Sequence, residues 1–158
     1  MAGILDRVAL VTGAGSAEGI AFETTRALAA ATAPITITST TKRIFERLET
    51  LGAGHAAFTA DLTIVEDVSE LINAVQAKFG RIDILINNAG LGMRAHVEKT
   101  KPEDARQVME INFFGALRCL QAALPIMRRQ GAGQIVNISS VLGVIATPRN
   151  AIYCASKF

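Results

Sequence analysis

Five short apolar runs alternate along this chain with longer stretches of helical character. The runs are residues 8–12, 34–38, 56–60, 82–86 and 134–140. Continuous short runs of Val, Ile and Leu suit strands buried on both faces, and the stretches between them are long enough for crossover helices. Strict alternation of this kind means an α/β fold. It predicts a Rossmann-like, doubly wound parallel sheet in three layers, α/β/α, with right-handed crossovers. Ligands of such sheets bind at the carboxyl edge of the strands. The polar clusters of this sequence follow its strands, so they are expected to converge on that one edge. At 158 residues, half of them hydrophobic, residues 1–158 read as a single domain with a sizeable core.

The first run, Val8-Ala9-Leu10-Val11-Thr12, leads into Gly13-Ala14-Gly15-Ser16-Ala17-Glu18-Gly19-Ile20 and then an Ala-rich helix. Strand, Gly-rich turn and helix present backbone N–H groups and a helix N-terminus to a phosphate. An ordinary tight turn fits the same residues. The second run ends in Ser39-Thr40-Thr41-Lys42-Arg43. In a dinucleotide fold that strand end meets the adenosine ribose, where an acid would bind the 2′-hydroxyl of NAD. No acid is present there. Thr40, Lys42 and Arg43 suit a 2′-phosphate instead, which favours NADP over NAD. A solvated polar loop is the competing reading.

The third run ends at Asp61-Leu62-Thr63, and Thr63 with Glu66 predicts a capping box. Val68, Leu71, Ile72, Val75 and Phe79 form the apolar stripe of the helix that follows, closed by Gly80. The fourth run leads into Asn87-Asn88-Ala89-Gly90, which suits a turn or a ligand contact. A long helix is expected from about Thr100 to Gln130, with Pro125 kinking it or marking its last turns. Asn112 lies in an apolar part of it. It reads either as a core amide satisfied by backbone or as a group holding water near a catalytic amine. The fifth run delivers Ser139 and Ser140, and Tyr153 and Lys157 follow four residues apart. On a helix those two share a face. An ammonium beside a phenol favours the phenolate, which can exchange a proton with a substrate oxygen. A plain surface pair has the same spacing.

Taken together, these residues resemble the short-chain dehydrogenase/reductases of the compact type, in the style of the 3-oxoacyl-acyl-carrier-protein reductases. The similarity runs from Val8 to Lys157. It rests on Thr12-Gly13-Ala14-Gly15, Gly19-Ile20, Asp61-Leu62, Asn87 to Gly90, Asn112, Ser140 and Tyr153-x-x-x-Lys157. The resemblance implies an NAD(P)-dependent oxidoreductase acting on a carbonyl/alcohol pair. Ser140 would hold the substrate oxygen and Tyr153 would be the general acid or base. Lys157 would bind the nicotinamide ribose and favour the phenolate, and Asn112 would support a relay water. Gly13, Gly15, Ser16, Gly19 and Ile20 would form the pyrophosphate turn. Asp61 and Leu62 would meet the adenine, while Asn88, Ala89 and Gly90 would line the cofactor cleft. Tyr153 and Lys157 would also touch the cofactor.

Four departures stand out. The glycine turn is one residue longer than usual, with Ala17-Glu18 before Gly19. Ala21 replaces its last glycine, and Thr32 stands where a glycine usually ends the first helix. Members of this type also continue for roughly another hundred residues. The expectation is a chain truncated after the fifth strand, with a short Tyr153–Lys157 helix whose last carbonyls lack partners. Weak cofactor binding and poor turnover would follow. The alternatives are a dinucleotide-binding module without turnover, or an epimerase or dehydratase of the wider superfamily.

Net charge is +2, with both signs mixed along the chain, which gives no argument for nucleic acid or a membrane surface. Residues 1–7 lack a signal-peptide core, and Cys119 and Cys154 read as reduced thiols. The expected location is the cytoplasm and no metal site is expected. The resemblance further implies a dimer or tetramer in the full-length form.

Overall fold

The computed structural model describes residues 6–31 and 33–158. The expectations placed on residues 1–5 and on Thr32 lie outside the described residues. In chain order the elements are β1 (Ala9–Thr12), α1 (Ile20–Ala30), β2 (Ile35–Ser39), α2 (Arg43–Leu51) and β3 (Ala56–Thr59). Then come α3 (Val65–Phe79), β4 (Ile84–Asn87), α4 (Pro102–Met109), α5 (Ala116–Gln130), β5 (Gln134–Asn137) and α6 (Ala151–Lys157). All strand pairs are parallel, in the order β3-β2-β1-β4-β5. The chain therefore leaves β1 in one direction for β2 and β3, and in the other for β4 and β5. A crevice at the carboxyl ends of β1 and β4 is the ligand position of such a sheet.

Alternation along β1 builds both cores. Ala9 and Val11 join Ala21 of α1 and Ile44 of α2 on one face. Val8 and Leu10 join Val68, Leu71 and Val75 of α3 and Cys119, Ala123 and Met127 of α5 on the other. The sheet is thus the middle of three layers. Ala21, whose methyl replaces the expected glycine, is 1% exposed and absorbed into the first core.

Three local expectations are corrected. Thr63 does not cap α3: its N–H and its hydroxyl both donate to Asp61 Oδ1, and Asp67 Oδ2 accepts the Asp61 N–H. The nearer carboxylates outcompete Glu66 for these donors. The fourth strand starts at Ile84 rather than Ile82, where the Asp83 and Ile84 N–H groups share Val8 O; the Asp83 carboxylate accepts the Val8 N–H at 2.9 Å and takes two of the three Arg81 nitrogens. The long helix is not uniform. Between α4 and α5, Glu110–Gly115 forms a π-helical turn. Such widened turns concentrate at functional sites. Pro125 lies inside α5, which continues to Gln130 and ends on left-handed Gly131.

Candidate active site

Thr12 ends β1 and joins two loops. Its buried hydroxyl donates to Ile86 O and accepts the N–H groups of Asn88 and Ala89 at 3.0 and 3.1 Å. Asn88 Nδ2 returns a bond to Thr12 O at 3.2 Å. The glycine turn is thereby stitched to the Asn87–Gly90 segment. Gly13 has φ +73°, and a Cβ there would stand 2.6 Å from Ala89 Cα. Only a glycine combines that backbone conformation with that approach. At the N-terminus of α1, Gly19 provides no side-chain cap, and its carbonyl accepts the Phe22 and Glu23 N–H groups. Glu18 is exposed and does not line the cleft below.

The loops enclose a cleft of about 690 Å³, within the ~300–1,000 Å³ typical of ligand sites. Gly13, Gly15, Ser16, Thr40, Arg43, Asp61, Leu62, Asn88, Ala89 and Gly90 line it. Gly19, Ile20, Lys42, Tyr153 and Lys157 do not. Ile20 is 66% exposed, and Lys42 is the exposed residue just before α2. Leu91, Gln107, Glu110 and Ile111 also line the cleft and were missed in the sequence. The last three share one helix face, a pattern that reads as ordinary amphipathicity.

Asn112 sits in the π turn, 8% exposed. Its Oδ1 accepts the Leu91 N–H at 2.7 Å, and its Nδ2 donates to Leu91 O at 3.0 Å and to Ser156 Oγ at 2.8 Å. The half-buried Lys157 Nζ donates to Ile138 O at 2.9 Å, and burial lowers the amine's pKa below its ordinary value. Asn112 and Lys157 line a second cavity of about 290 Å³, with Ser139, Ser156 and Leu117 among the other walls. Ala89 lines both spaces. A Cβ on Gly90 would lie 3.3 Å from Asn112 Oδ1 and 3.5 Å from Lys157 Nζ.

The two serines differ. Ser139 Oγ donates to Lys157 O at 2.9 Å, giving the last turn of α6 a partner that the sequence did not reveal. Ser140 Oγ accepts the Leu142 N–H at 3.1 Å, which leaves its proton free to donate. The half-buried Tyr153 hydroxyl has no hydrogen-bond partner among the described residues. The arrangement offers the Ser140 hydroxyl after β5, a half-buried amine tied to Ile138 and a backbone-lined cleft beyond β1 and β4. No cluster of three metal-ligating side chains occurs among the described residues.

The model of the short chain dehydrogenase family matches residues 7–158. The chain belongs to the short-chain dehydrogenases. It is 37% identical to an uncharacterized oxidoreductase of Staphylococcus saprophyticus, over all of this chain and 64% of that protein. A 3-oxoacyl-[acyl-carrier-protein] reductase of Synechocystis is 33% identical, over 99% of this chain and 65% of that one. Among solved structures, NAD+-bound xylitol dehydrogenase superposes with a TM-score of 0.91 at 33% identity, covering 98% of this chain and 60% of its own. The chain thus spans less than two thirds of the length of these relatives. No helix among its described residues is long and apolar enough to cross a membrane.

Proposed function

We propose that the protein is an NAD(P)-dependent oxidoreductase that interconverts a carbonyl and an alcohol. The observation that carries this reading is the wall at Ala89 and Gly90: Ala89 lines both the large cleft and the cavity that holds Asn112 and Lys157, and a Cβ on Gly90 would come within 3.5 Å of both side chains. A dinucleotide fits the residues present. Gly13, Gly15 and Ser16 line the cleft where its phosphates would lie, together with residues 88–90. Bound nicotinamide would supply the hydride donor or acceptor.

The chain's own residues then supply binding and proton transfer. Gly13, Gly15 and Ser16 hold the pyrophosphate, and Asp61 and Leu62 flank the adenine. Lys157 binds the nicotinamide ribose, and its charge favours the phenolate of Tyr153. Tyr153 gives its hydroxyl proton to the substrate oxygen in reduction and takes it back in oxidation. Ser140 donates a hydrogen bond to that oxygen. Asn112 keeps the Lys157 surroundings polar. Thr40, Thr41 and Arg43 line the cleft beside β2, with no carboxylate among residues 38–43. That rim favours the 2′-phosphate of NADP over the ribose of NAD. Val141, Val144 and Ile145 stay exposed directly after Ser140. The substrate passes an apolar lip on its way to the hydroxyls, which favours a carbonyl on an apolar chain.

The test is calorimetric titration with NADPH and NADH, with turnover measured on a panel of ketones, before and after Tyr153→Phe. The phenol is the chain's sole tyrosine. The expected result is dinucleotide affinity retained and turnover lowered by about 10²–10⁴. Binding without turnover in the parent protein would leave a dinucleotide-binding module, and absence of both would overturn the reading.

A further inference from the structure

Ser156 lies one residue before Lys157 and belongs to none of the assignments above. It is 8% exposed, and its hydroxyl is committed twice. The hydroxyl donates to Tyr153 O at 2.8 Å and accepts from Asn112 Nδ2 at 2.8 Å. Donating its one proton to its own helix fixes the rotamer and turns the oxygen lone pairs toward Asn112.

The Asn112 amide has two N–H donors and both are used, one on Ser156 and one on Leu91 O. Its oxygen takes the Leu91 N–H. A flipped amide would set an NH2 group against that N–H and an oxygen against the Leu91 carbonyl. The pattern therefore admits one orientation. Leu91 in turn lines the dinucleotide cleft beside Gly90.

We propose that Ser156 is a positioning residue: acting through Asn112, it clamps the main chain at Leu91, on the cleft wall, to the helix that carries Tyr153 and Lys157. Two features separate this from generic core packing. The bridge has polar contacts at each step, with distances of 2.7–3.0 Å. It also joins three segments far apart in sequence: the loop after β4, the π turn and α6. Removing the hydroxyl leaves one Asn112 N–H buried without a partner, and the amide then gains freedom to turn away from Leu91. The cleft wall would loosen at the position that approaches Lys157. The functional consequence rests on the oxidoreductase reading above, whereas the bridge itself does not.

The experiment reads the bridge without dinucleotide. Hydrogen exchange of the Leu91 amide and the side-chain amide signals of Asn112 are followed by NMR in the parent, Ser156→Ala, Ser156→Thr, Asn112→Ala and the Ser156→Ala/Asn112→Ala double variant. The expected result is about tenfold faster Leu91 exchange in Ser156→Ala, the equivalent of one hydrogen bond. Ser156→Thr restores protection because it keeps the hydroxyl. In the Asn112→Ala background the serine change adds nothing further. Unchanged Leu91 exchange in Ser156→Ala, an equal effect in the Asn112→Ala background, or failure of threonine to rescue would each overturn the inference. Ser156→Cys, similar in size and a poor acceptor, replaces the alanine variant if that does not fold. Failure here leaves the oxidoreductase reading standing, and failure of that reading leaves the bridge.

Discussion

Lys157 Nζ donates a 2.9 Å hydrogen bond to the main-chain oxygen of Ile138, two residues before Ser140. The amine is therefore fastened to the end of β5, the same strand that delivers the serines. Burial lowers its pKa. Between that lowered value and the ordinary ~10.4, the unfolded chain binds more protons at this site than the folded one. The contribution of this group to stability accordingly rises with pH through that window. Denaturant unfolding of the parent and of Lys157→Met across the alkaline range checks this, and the variant should lose that rise.

The choice between the two dinucleotides should depend on Arg43. Its neighbours Thr40 and Thr41 line the cleft with it, whereas Lys42 does not. Arg43→Ala should weaken NADPH binding by about tenfold or more, as expected for a hydrogen bond to a charged group, and leave NADH binding unchanged. Lys42→Ala should leave both nearly unchanged. Calorimetry on the two variants decides, and equal losses for the two cofactors in Arg43→Ala would remove this assignment.

Gly13→Ala should damage fold and cleft together. The left-handed backbone alone costs a side chain about 1–2 kcal/mol, and the new Cβ would meet Ala89 Cα at 2.6 Å. Backbone on both sides leaves little room to yield. Gly131→Ala is the control, since Gly131 is left-handed with φ +71° and nothing within 4 Å. Urea unfolding should show a larger loss for Gly13→Ala than for Gly131→Ala, and only the former should weaken dinucleotide binding.

Asp83 should matter to stability through Val8. Burial raises the Asp83 pKa, but the Arg81 and Val8 hydrogen bonds and the charges of Arg81 and Arg7 outweigh it and hold the carboxyl below its ordinary value. Its contribution is complete above the unfolded value of ~3.9 and is lost as pH falls through the lower folded value. Asp83→Ala strands the buried Val8 N–H and should cost about 1–3 kcal/mol at neutral pH. Asp83→Asn, which keeps an acceptor, should cost less. Denaturant unfolding measures both.

Sequence periodicity was enough to find all five strands and the helices between them: β1, β2 and β4 are buried on both faces, and the less covered edge strands β3 and β5 keep short apolar centres. It also brought Gly13, Gly15, Asp61 and residues 88–90 to one cleft, since each follows a strand, whereas Gly19, Ile20, Lys42, Tyr153 and Lys157 lie off it. The π turn at Glu110–Gly115 was invisible for a physical reason. Buried positions Val108, Asn112, Gly115 and Cys119 keep helical spacing straight through it. The Thr63 capping box failed because Asp61 and Asp67 offered closer acceptors, a competition that spacing does not rank. Lys42 and Arg43 looked equivalent as neighbouring cations, and the first turn of α2 sends only Arg43 to the cleft. Ser156 carried no signal at all, because its partners lie 44 residues away at Asn112 and within its own helix.

The hydroxyl of Thr12 has a further consequence. Valine has nearly the same shape, so Thr12→Val would alter neither the size of the interior nor the alternation of the sheet. It would nonetheless strand two main-chain donors and unfasten the glycine bend from the strand beside it. The two lips of the crevice could then drift apart in a molecule that, by volume and hydrophobicity, has hardly changed.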